Sequence, residues 1–301
     1  MATDDRVERY APLLRFSRRE TYHPIDPATF VAHARLGRAG WSTAMPDACW
    51  NPQASRWDAV AGRPPCAPLA SADLGKACAA IQLEAPSRPG AGQNRRPNDP
   101  ANLWRGQRAG YSLEMSDPFA AELRGVAGSA PCLFYDRYRV EAAPGICDVI
   151  AYWFFFALHV DTVPHEGDWS QLTVIVPCDS ADLPRVHYGA RGGGETFSFD
   201  EIDTADGTHP VVYVEPGRHA LCRDAATMDG PVGHTLLLRT WRIADRRPVP
   251  EMPWSCFDGS WGRAGSAEAA TGPLGPLLRR LEAPALVPRA NADAVVGTTQ
   301  E

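Results

Sequence analysis

The sequence predicts a mainly β protein, an antiparallel, jelly-roll-like β-sandwich with a few peripheral helices. Runs of β-branched and aromatic residues, bounded by Gly, Pro or Asp, recur through the middle of the chain, and this pattern is typical of strands. The runs are too closely spaced for a helical crossover between every pair, which favours antiparallel pairing over a parallel α/β sheet. A chain of 301 residues, of which 44% are hydrophobic, can bury a substantial core.

The N-terminal part of the chain predicts two short helices. After an apolar stretch from Tyr10 to Phe16, Asp26 and Pro27 open the first helix and Gly37 closes it. Asp can cap the free amides, Pro fits the first turn, and Gly tolerates the left-handed closing conformation. Apolar residues at helical spacing predict the second helix from Ser71 to Glu84.

The rest of the chain predicts strands and turns. The run from Gly192 to Glu195 lacks the Lys and Ser or Thr that follow in a nucleoside-triphosphate loop, so we interpret it as a flexible hairpin and expect no nucleotide cofactor. The predicted strands are Ala130 to Val140, Ile150 to Val160, Trp169 to Pro177, Arg185 to Gly189, His209 to Val214 and His234 to Ile243.

The same pattern predicts the domain organisation. We expect a single β-sandwich domain over residues 1–284, with a helical and loop insertion at about 41–102 and a flexible C-terminal tail at 285–301. The insertion ends in a polar loop crowded with Pro, Gly, Asn and Arg, and the tail is polar; both compositions are typical of segments outside a packed core.

Composition narrows the possible functions. The chain carries 30 basic and 36 acidic residues without a basic stripe, so nucleic acid is not an expected partner. The start from Met1 to Arg6 lacks the features of a secretory signal, which predicts a cytoplasmic protein. The longest apolar run, Ile150 to Val160, is about half of what a membrane-spanning helix needs, and we interpret it as a buried strand.

The cysteines and lysines add two expectations. The eight cysteines include no Cys-x-x-Cys pair, which argues against a zinc ribbon and a redox motif. We expect mostly buried thiols, and disulfides remain open if the protein is exported by another route. Lys76 is the only lysine, a bias typical of a GC-rich, bacterial genome.

The segment from Tyr152 to Val174 predicts the functional site. An aromatic strand leads into a predicted turn, His165 to Trp169, and a second strand leads out. Such a turn can present an imidazole and a carboxylate from a rigid scaffold, as a metal site or an acid/base pair requires. His165 and Asp168 lie three residues apart across Gly167, and a tight turn would bring them to one point.

Segments in chain order resemble the vacuolar protein sorting-associated protein 62 family. The resemblance covers about residues 10 to 280 and leaves only the region from Trp41 to Asn102 clearly outside. The segments are Tyr10 to Phe16, Glu20 to Pro24, His165 to Trp169, Pro210 to Ala220, Phe257 to Gly262 and Gly272 to Pro276.

The central and later segments are also similar to the necrosis-inducing protein (NPP/Nep-like) family, whose fold is a β-sandwich and whose His-x-x-Asp-Trp-Glu segment helps to hold a divalent cation. This resemblance implies that His165 and Asp168 face a metal ion, Ca²⁺ or Mg²⁺. Ser170 stands where both families usually have Glu, and a neutral hydroxyl is a weaker ligand for a hard cation. Either Asp161, our third metal candidate, or Glu166 supplies the missing charge, or the pocket does metal-free acid/base work.

Other residues complete the predicted site. In the resemblance His219 faces the same cavity, so the predicted catalytic residues are His165, Asp168, His219 and Glu166. Trp169, His187 and Tyr188 are predicted to contact substrate, although Trp169 also fits a core position and His187 also fits a half-buried surface histidine. His159, at the end of the aromatic strand, is interpreted as a hydrogen-bonded core histidine.

Two functions remain open. The favoured one is an enzyme, a lyase, cyclase or hydrolase, that acts on a small organic molecule with or without a divalent cation. The alternative, which the necrosis-inducing resemblance allows, is a membrane-acting module that binds a lipid or a glycan. An enzyme predicts a closed, aromatic-lined pocket, and a shallow, solvent-open site would count against it. The binding module predicts association with lipid vesicles or glycans. The oligomeric state is not predicted.

Overall fold

The computed structural model describes residues 5–38, 48–59, 69, 73–78, 111–117, 120–125, 132–142, 145–161, 163–178, 181–190, 193–227, 232–237, 239–242, 254, 257, 259–262, 272–273 and 275–276. These residues confirm the prediction of a mainly β, mostly antiparallel fold with few helices. The helices are α1 (Asp5–Arg9), α2 (Pro27–His33), one at residues 73–78, and single 3-10 turns at Ala121–Arg124, Phe199–Glu201 and Ala225–Thr227. The strands are β1 (Leu13–Ser17), β2 (Ala34–Arg38), β3 (Ala48–Asn51), β4 (Arg56–Ala59), β5 (Tyr111–Met115), β6 (Cys132–Ala142), β7 (Gly145–His159), β8 (His165–Pro177), β9 (Arg185–Ala190), β10 (Gly193–Ser198), β11 (Thr204–Ala205), β12 (His209–Val214), β13 (Leu221–Cys222), β14 (Val232–Leu237), β15 (Arg239–Arg242) and β16 (Ser260–Trp261).

The described strands form three sheets. The first has the order β11, β12, β1, β14, with β13 paired to β12. The second has the order β10, β9, β8, β7, β6, β15, and the third has the order β16, β5, β2, β3, β4. Parallel pairs occur between β1 and β12, β6 and β15, and β5 and β16. The second sheet is the middle layer.

Strand β7 shows why the second sheet lies in the middle. Tyr152, Phe154 and Phe156 are buried in the core shared with the first sheet, whereas Trp153 and Phe155 are buried in the core shared with the third sheet. A strand that is covered on both faces needs apolar side chains at consecutive positions. The continuous aromatic run in the sequence is therefore explained by burial on both faces.

Helix α2 begins as predicted and ends earlier than predicted. Asp26 is its N-cap, and Pro27 occupies its first turn. The helix ends at His33, not at Gly37, because Ala34 and Leu36 are buried in the core and belong to β2, which pairs with β5. Alternating burial over this segment matches a strand and not a helix.

An Asp26→Ala variant is expected to lose about 1 kcal/mol of unfolding free energy. Its Oδ1 atom accepts a hydrogen bond from the Ala28 amide at 2.8 Å, and Ala cannot replace that acceptor. Urea denaturation of both proteins measures the loss. Asp26→Asn keeps an accepting oxygen and should lose only a few tenths of a kcal/mol; equal losses in the two variants would contradict the capping role.

The strand predictions agree with the structure in part. The strand from His209 to Val214 has its predicted bounds. The described part of the Gly-rich run, residues 193–195, belongs to β10, which pairs with β9. The segment predicted as one strand from His234 to Ile243 instead contains β14 and β15, which belong to different sheets. Because β14 pairs with β1 and β15 pairs with β6, the chain passes from one sheet to the other between them and cannot form one continuous strand.

The region predicted as an insertion contributes to the core. Its described residues include β3 and β4, and the predicted second helix is present over residues 73–78. Trp50 and Leu74 from this region are buried in the core shared by the second and third sheets. The predicted tail at 285–301 lies outside the described residues.

Two further sequence expectations concern cysteines and membranes. Cys49 of β3 is disulfide-bonded, whereas Cys78, Cys147, Cys178 and Cys222 remain thiols. The described part of the chain contains no helix with the length and apolarity that crossing a bilayer requires. The cytoplasmic location stays a prediction.

Candidate functional site

The predicted turn from His165 to Trp169 is the start of strand β8. Antiparallel pairing with β7 continues to the ends of both strands, where His159 lies directly opposite His165. The chain reverses direction between His159 and His165, before this segment begins. The prediction of a turn at this segment was therefore wrong, because the segment belongs to a strand.

Gly167 breaks the alternation of β8. In a regular strand, residues three apart point to opposite faces, so His165 and Asp168 would be separated. Gly167 has φ +64°, a conformation that L side chains rarely adopt. On the paired strand, Ala157 and Leu158 both lie in the core shared with the third sheet, so the alternation changes there as well.

This break brings three potential ligands together. One side-chain atom each from His159, His165 and Asp168 lie within 4.8 Å of one another. The two imidazole rings stack, with centroids 4.5 Å apart and an interplanar angle of 9°. His159 Nδ1 lies 3.3 Å from Asp168 Oδ2, and the side chains of these two residues are 19% and 15% exposed. Solvent therefore reaches one side of the cluster.

The backbone fixes the ring of His165. His165 Nδ1 lies 2.9 Å from the carbonyl oxygen of Gly167. Because a carbonyl oxygen only accepts hydrogen bonds, Nδ1 carries the hydrogen, and Nε2 carries the lone pair of a neutral imidazole. This tautomer is the one that can bind a metal ion through Nε2.

His219 lies beneath the cluster and is fully buried. Its Nδ1 atom lies 2.9 Å from Asp168 Oδ2, and its Nε2 atom lies 3.6 Å from Glu20 Oε1. Its ring stacks on Phe156 with centroids 3.9 Å apart. The imidazole is therefore held between two carboxylates and one aromatic ring.

The pKa values of this buried group follow from that arrangement. Burial alone would lower the pKa of His219, but the hydrogen bond to Asp168 and the ion pair with Glu20 outweigh burial and raise it from 6.5 to about 9. Burial alone would raise the pKa of Asp168, but hydrogen bonds from His159 and His219 hold it well below its usual range. The pKa of Glu20 is likewise lowered, because contacts with His219 and with backbone amides outweigh burial. At neutral pH the group is an imidazolium between two carboxylates.

Glu20 was not predicted as a site residue. Its side chain is buried; Oε1 accepts hydrogen bonds from the amides of Thr21 and Tyr22 at 2.8 Å each, and Oε2 accepts one from the Gly217 amide at 2.9 Å. The sequence signal that could have identified Glu20 is the segment from Glu20 to Pro24, because this segment is part of the family resemblance described above. His159 was also missed, because a histidine at the end of an apolar strand fits a core position.

Ser170 of β8 contacts the buried histidine. Its hydroxyl donates a hydrogen bond to the carbonyl oxygen of His219 at 2.7 Å. The non-Gly residue His219 has φ +54°, which is strained and needs support from its surroundings. Ser170 supplies part of that support.

Two predicted carboxylates are engaged away from the cluster. Glu166 Oε2 accepts a hydrogen bond from the Met115 amide on β5 at 3.0 Å, which joins the second and third sheets. Asp161 Oδ2 lies 2.6 Å from Nε of the exposed Arg218. Neither carboxylate belongs to the group of converging ligands formed by His159, His165 and Asp168.

The predicted substrate contacts lie elsewhere in the described structure. Trp169 is buried in the core shared with the third sheet, where it packs on Phe155 and Trp261. Tyr188 is buried in the core shared with the first sheet and lies opposite Leu172, which is four residues, or about 13 Å, from Asp168 along β8. His187 Nδ1 lies 2.9 Å from Thr196 Oγ1 on the neighbouring strand.

Comparison with known proteins identifies only distant structural likenesses. No family model matches the chain, and no curated protein is significantly similar to it. A structure of NLPPya in complex with mannosamine is 12% identical, with a TM-score of 0.35, over 80% of this chain and 73% of that one. A structure described as a toxin fold for microbial attack and plant defense is 15% identical, with a TM-score of 0.31, over 41% of this chain and 57% of that one.

A third likeness is to necrosis and ethylene inducing protein 2 from the causal agent of cocoa's witches' broom disease. It is 16% identical, with a TM-score of 0.28, over 37% of this chain and 51% of that one. The chain thus spans about half the length of this protein and of the toxin-fold structure. These neighbours belong to the necrosis-inducing group that the sequence motifs resemble, and they bring no support for the vacuolar sorting family. At these TM-scores, function has to be argued from the residues of this chain.

Proposed function

We propose that the protein binds one divalent transition-metal ion through His159, His165 and Asp168 and uses this ion to hold a hydroxyl-rich ligand of the glycan class. The observation that carries the proposal is the convergence of two imidazole nitrogens and one carboxylate oxygen within 4.8 Å. Groups of this kind, joined across two paired strands, form a ligand set for a metal ion.

The residues fit a metal ion in three respects. Two imidazoles and one carboxylate suit Zn²⁺ or Fe²⁺ better than the Ca²⁺ or Mg²⁺ of the sequence analysis, because the latter two prefer oxygen ligands. His165 donates its Nδ1 hydrogen to a backbone carbonyl, which is the usual way to orient a metal-binding imidazole. Asp168 is held by the His219 imidazole, so the carboxylate ligand is also fixed.

The exposure of the cluster supports ligand binding at a surface. Three protein ligands leave coordination positions open, and the partial exposure of His159 and Asp168 gives solvent access to them. The neighbouring turn exposes Val160 and Val163, which are 42% and 40% exposed. Adjacent hydroxyl groups of a sugar can fill two open positions of a metal ion. A small-molecule enzyme site is more often an enclosed, apolar cavity.

A second candidate function is metal-assisted catalysis by a lyase or hydrolase. The observation in its favour is the number of protein ligands, since three is the number typical of catalytic zinc sites. When bound, the metal would supply a water molecule of lowered pKa. His159, His165 and Asp168 would hold the ion, and His219 would keep Asp168 oriented.

A His159→Ala variant is expected to bind Zn²⁺ at least about 100-fold more weakly than the wild type, because it loses one of three protein ligands. Titration calorimetry on metal-stripped protein measures the dissociation constant. His187→Ala is the matched control, because His187 hydrogen-bonds Thr196 away from the cluster and should leave the affinity unchanged. A wild-type protein that does not bind Zn²⁺, Fe²⁺ or Co²⁺ would end the metal hypothesis.

The ligand is tested separately. Glucosamine and mannosamine offer adjacent amine and hydroxyl groups that can chelate a metal ion. Binding of either sugar to the Zn²⁺-loaded protein, with loss of binding in EDTA, is the expected result in an NMR titration. Conversion of a small substrate by the loaded protein, without sugar binding, would favour the second candidate function.

A further inference from the structure

We propose that Glu20 is a positioning residue for the metal site, acting through His219 on Asp168. This inference rests on the proposed metal-binding function. Glu20 follows β1, an inner strand of the first sheet, whereas Asp168 lies on β8 in the middle sheet. The contact therefore connects two layers of the fold at the site.

Both oxygens of Glu20 have defined partners. Oε1 binds the amides of Thr21 and Tyr22 and lies 3.6 Å from His219 Nε2. Oε2 binds the amide of Gly217 at 2.9 Å. The carboxylate thus holds its own segment in place and contacts the loop that carries His219 at two points, the Gly217 amide and the His219 ring.

The contacts that Glu20 makes with this loop help to determine where the His219 ring lies. The His219 amide donates to the Glu215 carbonyl at 2.9 Å, and the His219 carbonyl accepts from Ser170. With φ +54°, the residue keeps this conformation only while the surrounding contacts persist. Loss of the Glu20 contacts would let the ring turn away from Asp168.

Asp168 depends on the position of that ring. Its Oδ2 atom lies 2.9 Å from His219 Nδ1 and 3.3 Å from His159 Nδ1. A carboxylate that loses its hydrogen-bonded neighbour is free to rotate, and such losses typically weaken metal binding by about 10- to 100-fold. Ser170 brings no charge to this end of the site. Glu20 supplies a carboxylate from another layer of the fold.

The test compares Zn²⁺ binding by metal-stripped wild type and Glu20→Gln. In Gln an NH₂ group replaces one of the two carboxylate oxygens, and this group cannot accept a hydrogen bond. We therefore expect the Zn²⁺ affinity to fall about 10- to 100-fold. We also expect the visible spectrum of the Co²⁺ form to change. Glu20→Asp keeps the charge but has a side chain one methylene shorter. Its Zn²⁺ affinity should therefore lie between those of the wild type and Glu20→Gln. It replaces Glu20→Gln if that variant does not fold.

Asp148→Asn is the matched control. Asp148 is a fully buried carboxylate bound by Arg6, Arg137 and Arg139, and it lies opposite Val176, eight residues or about 26 Å along β8 from Asp168. It should lose stability and keep wild-type Zn²⁺ affinity. Equal weakening in Asp148→Asn and Glu20→Gln would show a general effect of stability and overturn the positioning role.

The remaining outcomes separate the two proposals. If His159→Ala loses Zn²⁺ affinity and Glu20→Gln binds within twofold of the wild type, the positioning role is wrong and the metal site stands. If the wild type does not bind Zn²⁺, Fe²⁺ or Co²⁺, both proposals are wrong.

Discussion

A Gly167→Ala variant is expected to lose about 2 to 5 kcal/mol of unfolding free energy. The φ of +64° places any L side chain in the left-handed region, at a cost of about 1 to 2 kcal/mol. A Cβ atom there would also lie 2.0 Å from the Trp261 carbonyl oxygen and 2.8 Å from its carbonyl carbon. Because both atoms are backbone, the strand that carries Trp261 would have to move.

Two other glycines separate the causes of this loss. Gly207 has φ +69° and open space around it, so Gly207→Ala should lose only the backbone term of about 1 to 2 kcal/mol. Gly145 has open space and no positive φ, so Gly145→Ala should change stability little. Urea denaturation of the three variants gives the comparison. A loss at Gly167 no larger than at Gly207 would show that the close approach of Trp261 has no energetic weight.

The segment that carries two residues of the candidate site, His165 and Asp168, stands out in the sequence. A histidine and an aspartate next to a long apolar run identified the end of β7 and the start of β8. The strand assignment could not be predicted, because Gly167 normally reads as a turn residue. Here its positive φ and its contact with Trp261 keep the segment paired while the alternation of side chains changes.

The ligand set was harder to predict than the location. His159 becomes a candidate ligand only through the register that places it opposite His165, and register depends on packing of both faces. Glu20 reaches His219 across 199 positions of the chain, and periodicity describes only neighbours within one element. The three-layer arrangement was missed for a similar reason. The aromatic run of β7 indicated burial, but not which sheets would cover it.

A decrease in stability from pH 6.5 to pH 9 is expected for the metal-free protein. The pKa of His219 is raised from 6.5 to about 9, so the folded protein binds the proton more tightly than the unfolded chain does. The resulting stabilisation is fully present below pH 6.5 and is lost as the pH rises through about 9. From the linkage relation, the loss is about 3 kcal/mol, measured by urea denaturation in EDTA at a series of pH values.

A His219→Asn variant should lack this pH dependence and be about 3 to 5 kcal/mol less stable than the wild type near pH 7. The reason is that the buried Glu20 and the mostly buried Asp168 are left as carboxylates without their cation. The control is His187→Asn. Burial lowers the pKa of His187, so its contribution to stability has the opposite sign and is lost as the pH falls. If His219→Asn keeps the wild-type decrease between pH 6.5 and 9, the decrease arises elsewhere.

The same buried group also predicts behaviour in acid. The lowered pKa values of Asp168 and Glu20 mean that their stabilisation is present above their ordinary pKa values, near 4, and is lost as the pH falls through the lowered ones. His219→Asn removes a cation that lowers both pKa values. The variant should therefore unfold in acid at a higher pH than the wild type. The loss of stability at high pH and the loss of stability at low pH would then both depend on His219. This is expected if its imidazolium holds the two carboxylates together.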